Sequence, residues 1–284
     1  MKINIYLSVA IASAALLTSC SNEQNDKSDN AELVKKAKIE VDTTDVYSSE
    51  EYDFMLPQPF ALVSSFENVN LNYDVTRMND PENVENYNSE GKKLLNFGVY
   101  SADLVYSIIH EKPQSSMNYF NAVKQMADRI GMGSIFTQES LADSIEKNIA
   151  NREKMEYLLI DVHEKSQEYL ESNEMRLLAA IQFAGAWSEG MYLATREIPS
   201  DNREAFVASV TDHMSLAKNA IEGIEAYKER DKDLEVVLEK IKSIKTKYDN
   251  FEAVKNAKGL PQLTDDDLAV LHVEFDNLRS TITQ

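Results

Sequence analysis

The stretch of the sequence best suited to chemistry is AAIQFAGAWSEGMYLATREI, residues 179–198. In a helix, at about 100° per residue, Gln182, Glu189 and Arg196 share one sector that is otherwise mainly apolar. A buried carboxylate must be paired or hydrogen-bonded, or its pKa rises until it takes up a proton. We therefore expect Glu189 to have either a dedicated partner or an altered pKa.

Two interpretations of Glu189 remain open. In the first, Glu189 and Trp187 line a small-molecule pocket, and Gly185 and Gly190 give it space. In the second, Glu189 is bonded to Arg196 or to a tyrosine inside a helical bundle, and the two glycines let helices approach closely.

A second set of polar residues lies on an earlier segment, where Asn96, Asp103 and His110 are seven positions apart. This spacing points the three side chains almost the same way from a helix. A narrow solvent-exposed face would explain the pattern. If the set instead meets Glu189 across a groove, it forms a polar cluster suited to ligand binding or acid–base work.

Histidine spacing argues against a metal site. A helical zinc site needs two histidines four apart with a glutamate between them; His110–Glu111 and His163–Glu164 begin that pattern and do not complete it. No histidine has a glutamate three residues before it, as carboxylate-bridged di-metal bundles require. The sequence therefore predicts no metal, no cofactor and no catalytic residue.

The elements that must position these residues are helices. Only 8 glycines and 6 prolines interrupt the 284 residues, and the apolar residues recur at helical spacing. We predict a short helix around Phe60, a capped turn at residues 79–82, and five longer helices. The longer ones are expected at about 90–112, 114–130, 137–149, 155–169 and 173–198.

Beyond about residue 199 the apolar residues adopt alternating steps of three and four, which is typical of coiled-coil-like antiparallel packing. The sequence predicts an all-α fold, a multi-helix bundle of about eight or nine helices over residues 53–284, with a subdivision near residue 199. The three apolar stripes lie at 207–224, 234–251 and 268–282.

The chain opens with a leader that predicts lipidation. Lys2 precedes an apolar run from Ile3 to Leu17, which has the length of a signal-peptide core rather than of a membrane span. Residues 17–20, Leu-Thr-Ser-Cys, match a lipobox. We expect residues 1–19 to be a lipoprotein signal peptide and Cys20 to carry the lipid, including palmitate, that anchors the protein stably.

Behind Cys20, the polar stretch from 20 to 52 cannot bury enough apolar surface to order itself, so it predicts a flexible tether. Cys20 is the chain's one cysteine, which excludes an intramolecular disulfide. The net charge of −19 argues against nucleic-acid binding and against docking on anionic lipid. Membrane contact is therefore expected through the lipid alone.

Several segments together resemble an uncharacterised family of all-helical lipoproteins from Gram-negative bacterial envelopes. They are LPQPFAL (56–62), NFGVYSADLVY (96–106), YFNAVKQMADRIG (119–131) and AAIQFAGAWSEGMYLA (179–194). The resemblance implies an all-α fold on a lipid anchor in the cell envelope, and it implies no activity, cofactor or catalytic residue.

From these observations we expect a lipid-anchored protein of the outer membrane, on an undetermined face. Its expected role is a non-catalytic binding or scaffolding module, with an envelope protein as its candidate partner. The alternative is a small-molecule-binding protein, or an enzyme, with a pocket near Asp103, Trp187 and Glu189. The candidate ligand-binding residues are Asp103, Gln182, Trp187, Glu189 and Arg196.

Overall fold

The computed structural model describes residues 58–67, 72–136, 139–173 and 175–284. The predicted signal peptide, Cys20 and the predicted tether lie outside these ranges. The described residues form α-helices and short 3-10 turns, without a β-strand. The described ranges contain ten helices: α1 (Pro59–Ser64), α2 (Glu90–Ile109), α3 (Pro113–Arg129), α4 (Glu139–Asn148), α5 (Arg152–Ser172), α6 (Arg176–Thr195), α7 (Arg203–Ala226), α8 (Lys232–Asp249), α9 (Glu252–Lys255) and α10 (Asp265–Thr283).

This architecture confirms the predicted all-α bundle, because eight of the ten described helices have ten residues or more. Polar caps define where several helices begin. Ser89, Asn151, Asp231 and Thr264 each accept a backbone N–H of the first turn of α2, α5, α8 and α10. Such caps satisfy amide groups that a helix leaves without partners at its start.

Helix α6 is the centre of the bundle. Every residue from 178 to 195 is buried, because α2, α7, α10, α1 and α5 all pack around it. Its most extensive packing contact is with α2, and α2 also packs against α3. One continuous apolar core extends from Leu62 to Ile282. Within the described part of the chain, no helix is both long enough and apolar enough to cross a membrane.

Candidate functional site

Two glycines set the distance between α2 and α6. A Cβ atom on Gly98 would lie 1.9 Å from the carbonyl oxygen of Gln182, and one on Gly185 would lie 1.9 Å from that of Leu95. No side chain fits at such distances, so the two backbones touch directly. This close approach brings polar residues of both helices into one buried site.

Within that site, the carboxyl groups of Asp103 on α2 and Glu189 on α6 lie close enough to influence each other's pKa. Both side chains are 0% exposed. Arg279 of α10 donates its Nε–H to Glu189 Oε2 at 3.2 Å, and the backbone N–H of Asn79 donates to Asp103 Oδ2 at 3.0 Å. The expected acidic side chains thus meet, and their cationic partner comes from the last helix.

Burial changes the protonation of this pair. Loss of solvent raises the pKa of Asp103 well above its ordinary value, and the neighbouring Glu189 raises it further. Burial also raises the pKa of Glu189, whereas Arg279 opposes that rise. Among the described residues, no group donates to Asp103 Oδ1 or Glu189 Oε1. One proton shared by the two carboxyl groups would supply that donor and would make the pair and Arg279 neutral together.

A hydrogen-bond network next to the acid pair connects segments that are distant in the chain. Asn79 donates through its side chain to Asn96 Oδ1 at 3.1 Å, and Asn96 donates to the carbonyl of Ile282 at 2.9 Å. Tyr87 donates to the carbonyl of Thr283 at 3.3 Å. The segment before α2 and the end of α10 are therefore attached to the polar side of α2.

Trp187 and Arg196 lie elsewhere. The indole N–H of Trp187 donates to the carbonyl of His213 at 2.9 Å, and its ring packs edge-on against Phe275. Arg196 forms an ion pair with Asp276 at 3.2 Å near the surface. Among the described residues, neither Trp187 nor Arg196 forms a hydrogen bond or ion pair with the acid pair, and the partner of Glu189 is Arg279 rather than Arg196.

A cavity of about 80 Å³ lies beside the contact between α2 and α6, and Gln182 is one of the residues that line it. Helices α1 to α6 all contribute to its wall. Its apolar side chains include Phe60, Phe97, Leu104, Phe120, Val123, Phe136, Ile145, Leu159, Val162 and Phe183. The cavity has room for about three water molecules or a short alkyl segment.

Helix α5 forms one wall of this cavity. Leu159, Val162, His163, Ser166 and Gln167 line the cavity from one side of α5. Leu159 and Val162 stay only half-buried although they point towards the core. An occupant of the cavity would therefore cover apolar surface that α5 leaves open.

A second, more polar cavity of about 360 Å³ is lined by Gly190, Tyr106, His110 and Glu67. Its polar side chains other than His110 are already engaged within the protein. Tyr106 donates to the carbonyl of Asn72 at 2.6 Å, and Glu67 pairs with Arg152 at 2.6 Å. The smaller cavity differs, because its polar groups keep unused hydrogen-bonding capacity.

The described residues contain no group of three or more His, Cys, Asp or Glu side chains placed to hold a metal ion. Comparison with protein-family models, with curated proteins and with solved structures finds no match to this chain. Function must therefore be argued from the two features above: the closed acid pair and the apolar cavity.

Proposed function

We propose that this chain is a non-catalytic binding protein that takes the apolar part of a small molecule into the cavity beside α5. The observation that carries the proposal is the combination of an apolar wall with polar groups that the protein does not use. Gln58, His163 and Gln167 line the cavity, and their side chains make no hydrogen bond within the described part of the chain. Ligand sites typically pair an apolar lining with a few such polar groups.

The acid pair supports a structural role rather than catalysis. Asp103 and Glu189 are closed to solvent, and neither lines the two cavities described above. A general acid or base must come within hydrogen-bond reach of its substrate. In this conformation the pair instead joins α2, α6 and α10.

The proposal places the protein in the cell envelope, anchored in the outer membrane through lipid on Cys20. The lipobox at residues 17–20 supports this part, and so does the resemblance to helical lipoproteins. Metabolic labelling with an alkyne analogue of palmitate tests it. Wild-type protein should take up the label, and Cys20→Ala should not; equal labelling of both proteins would refute lipidation at Cys20.

Native mass spectrometry tests the binding function. The full chain is extracted from its host's envelope in mild detergent, and the mass of any retained small molecule is read from the intact protein. Two variants reduce the cavity: Ala179→Phe on α6 and Val162→Trp on α5. Ala269→Phe is the matched control, because Ala269 is exposed on α10.

We expect a discrete added mass on wild type and on Ala269→Phe, and none on the two cavity variants. The same added mass on all four proteins, or none on any, would contradict the proposal. An envelope protein that co-purifies equally with all four proteins, without a small molecule, would favour the scaffolding alternative.

A further inference from the structure

The described lining of the cavity includes polar side chains but no charged ones. Among the described residues that line it, none is Asp, Glu, Lys or Arg. The polar members are two serines, three glutamines and one histidine: Ser101, Ser166, Gln58, Gln167, Gln182 and His163. An ion that entered such surroundings would lose its hydration and would find no counter-charge. The energetic cost is large enough that an ionisable group would become neutral instead.

The serines offer acceptors only. The hydroxyl of Ser101 donates to the carbonyl of Phe97 at 2.7 Å, and that of Ser166 donates to the carbonyl of Val162 at 2.7 Å. Each proton is thus committed to the serine's own helix, as is common for helical serines. Neither hydroxyl is free to bind an anion.

Gln182 is the most buried of the polar side chains that keep unused hydrogen-bonding capacity in this cavity. It is 8% exposed, and its Nε2–H donates only to the thioether of Met132, at 3.2 Å. A thioether is a weak acceptor, so the amide keeps a carbonyl oxygen and a second N–H for a better partner. A buried amide without such a partner is unfavourable, because it has lost its hydrogen bonds to water without replacing them.

His163 adds a second neutral group. Burial lowers the pKa of its imidazole to about 4, so the ring is uncharged at neutral pH. A neutral imidazole offers one donor and one acceptor. Gln182 and His163 therefore match a ligand group that can both donate and accept.

We infer, resting on the binding function proposed above, that the ligand is an uncharged amphiphile: a short alkyl body with a hydroxyl or amide group held by Gln182 and His163. Carboxylates and amines of the same length fit the apolar wall equally well, but they find no opposite charge there. The cavity thus favours uncharged ligands, because its lining offers no opposite charge to an ion.

Photoreactive probes of one chain length test this inference. Octanol, octanoic acid, octylamine and octane, each carrying a diazirine, are added at pH 7 to the full chain in lipid nanodiscs, and labelled peptides are identified by mass spectrometry. We expect the alcohol to label α5 and α6 with half-saturation at least about tenfold below that of the acid or the amine. Excess unlabelled octanol should suppress the labelling.

Gln182→Leu separates recognition of the head group from apolar binding. This variant should lose about tenfold of its affinity for the alcohol while octane labels it as well as it labels wild type. Gln125→Leu is the control, because Gln125 is exposed on α3, and it should behave like wild type.

The possible failures are distinguishable. If no probe labels α5 or α6, or if Ala179→Phe and Val162→Trp label as strongly as wild type, the proposed binding function itself is wrong. If the acid or the amine binds as tightly as the alcohol, or if Gln182→Leu keeps full affinity for the alcohol, the cavity binds ligands but the inference about charge is wrong.

Discussion

The carboxyl groups of Asp103 and Glu189 lie close together in a site where both side chains are fully buried. They are 86 positions apart in the chain, and the close approach of α2 and α6 at Gly98 and Gly185 brings them together. Because burial raises the pKa values of both groups, the folded pair should keep a proton at a pH where the unfolded chain releases it. This difference between folded and unfolded states makes protein stability depend on pH.

Asp103→Asn tests the shared proton. The folded pKa values of the pair are raised, so the folded state binds more protons than the unfolded state once the pH exceeds about 4. Stability should therefore fall as pH rises from there towards the raised folded values, by up to about 1.4 kcal/mol per pH unit. Asp103→Asn should remove this slope, as measured by urea unfolding followed through the fluorescence of Trp187.

Asp201→Asn is the control, because it makes the same substitution at an exposed position. It should keep the wild-type slope. An infrared band of a protonated carboxylic acid should be present at pH 7 in wild type and absent in Asp103→Asn. A wild-type slope in Asp103→Asn, or no such band in wild type, would count against a shared proton.

Arg279→Met tests the charge balance of the acid pair. Arg279 is the cation bonded to Glu189, and its removal leaves the buried acids without a positive neighbour. We expect a loss of about 3 kcal/mol in unfolding free energy at pH 7. Arg196→Met removes the partly exposed pair with Asp276 and should cost under about 1 kcal/mol. Equal losses for the two variants would refute the special role of Arg279.

Gly185→Ala tests the close contact between α2 and α6. The added Cβ would lie 1.9 Å from a backbone carbonyl of α2, so the helices must separate, and we expect a loss of about 3 kcal/mol. Gly190→Ala on the same helix is the control, because its Cβ would be 4.0 Å from the nearest atom, in Val63. It should be neutral or should stabilise by up to about 1 kcal/mol. The midpoints of thermal unfolding of the two variants test this difference in stability.

His163 should titrate far below an ordinary histidine. Burial lowers its pKa to about 4, whereas the unfolded value is about 6.5. The neutral ring therefore supports the folded state above pH 6.5, and this contribution is lost as pH falls towards 4. NMR titration of the imidazole should show no protonation of His163 at pH 5.5. A midpoint near 6.5 would mean that the ring is solvated and is not a neutral group in the cavity wall.

The helices could be predicted from the sequence because each carries its own periodic pattern. The predicted helix at about 90–112 is α2, and the predicted helix at 173–198 is α6. Local pattern decides such elements, since the apolar stripe and the polar cap lie within the same few residues.

The site was harder to predict because its parts come from different helices. Glu189 could be recognised as a carboxylate in apolar surroundings, but its partner Arg279 lies on the last helix, and no spacing rule connects the two. Its sequence signal is weak: Arg279 follows Phe275 by four positions and so borders the apolar stripe of α10. The cavity left no signal, because Leu159 and Val162 have the same pattern whether they pack against protein or face a space.

The central claim is that the cavity beside α5 takes up an apolar ligand, and methyl NMR with a nitroxide-labelled octanol tests it most directly. The full chain in nanodiscs is methyl-labelled at Ile, Leu and Val, and the broadening caused by the nitroxide is mapped residue by residue. We predict saturable broadening of Val123, Ile145 and Leu159, with Ile241 and Leu268 unaffected, and loss of the effect in Ala179→Phe. Uniform broadening across the protein, or none at these three residues, would contradict the account.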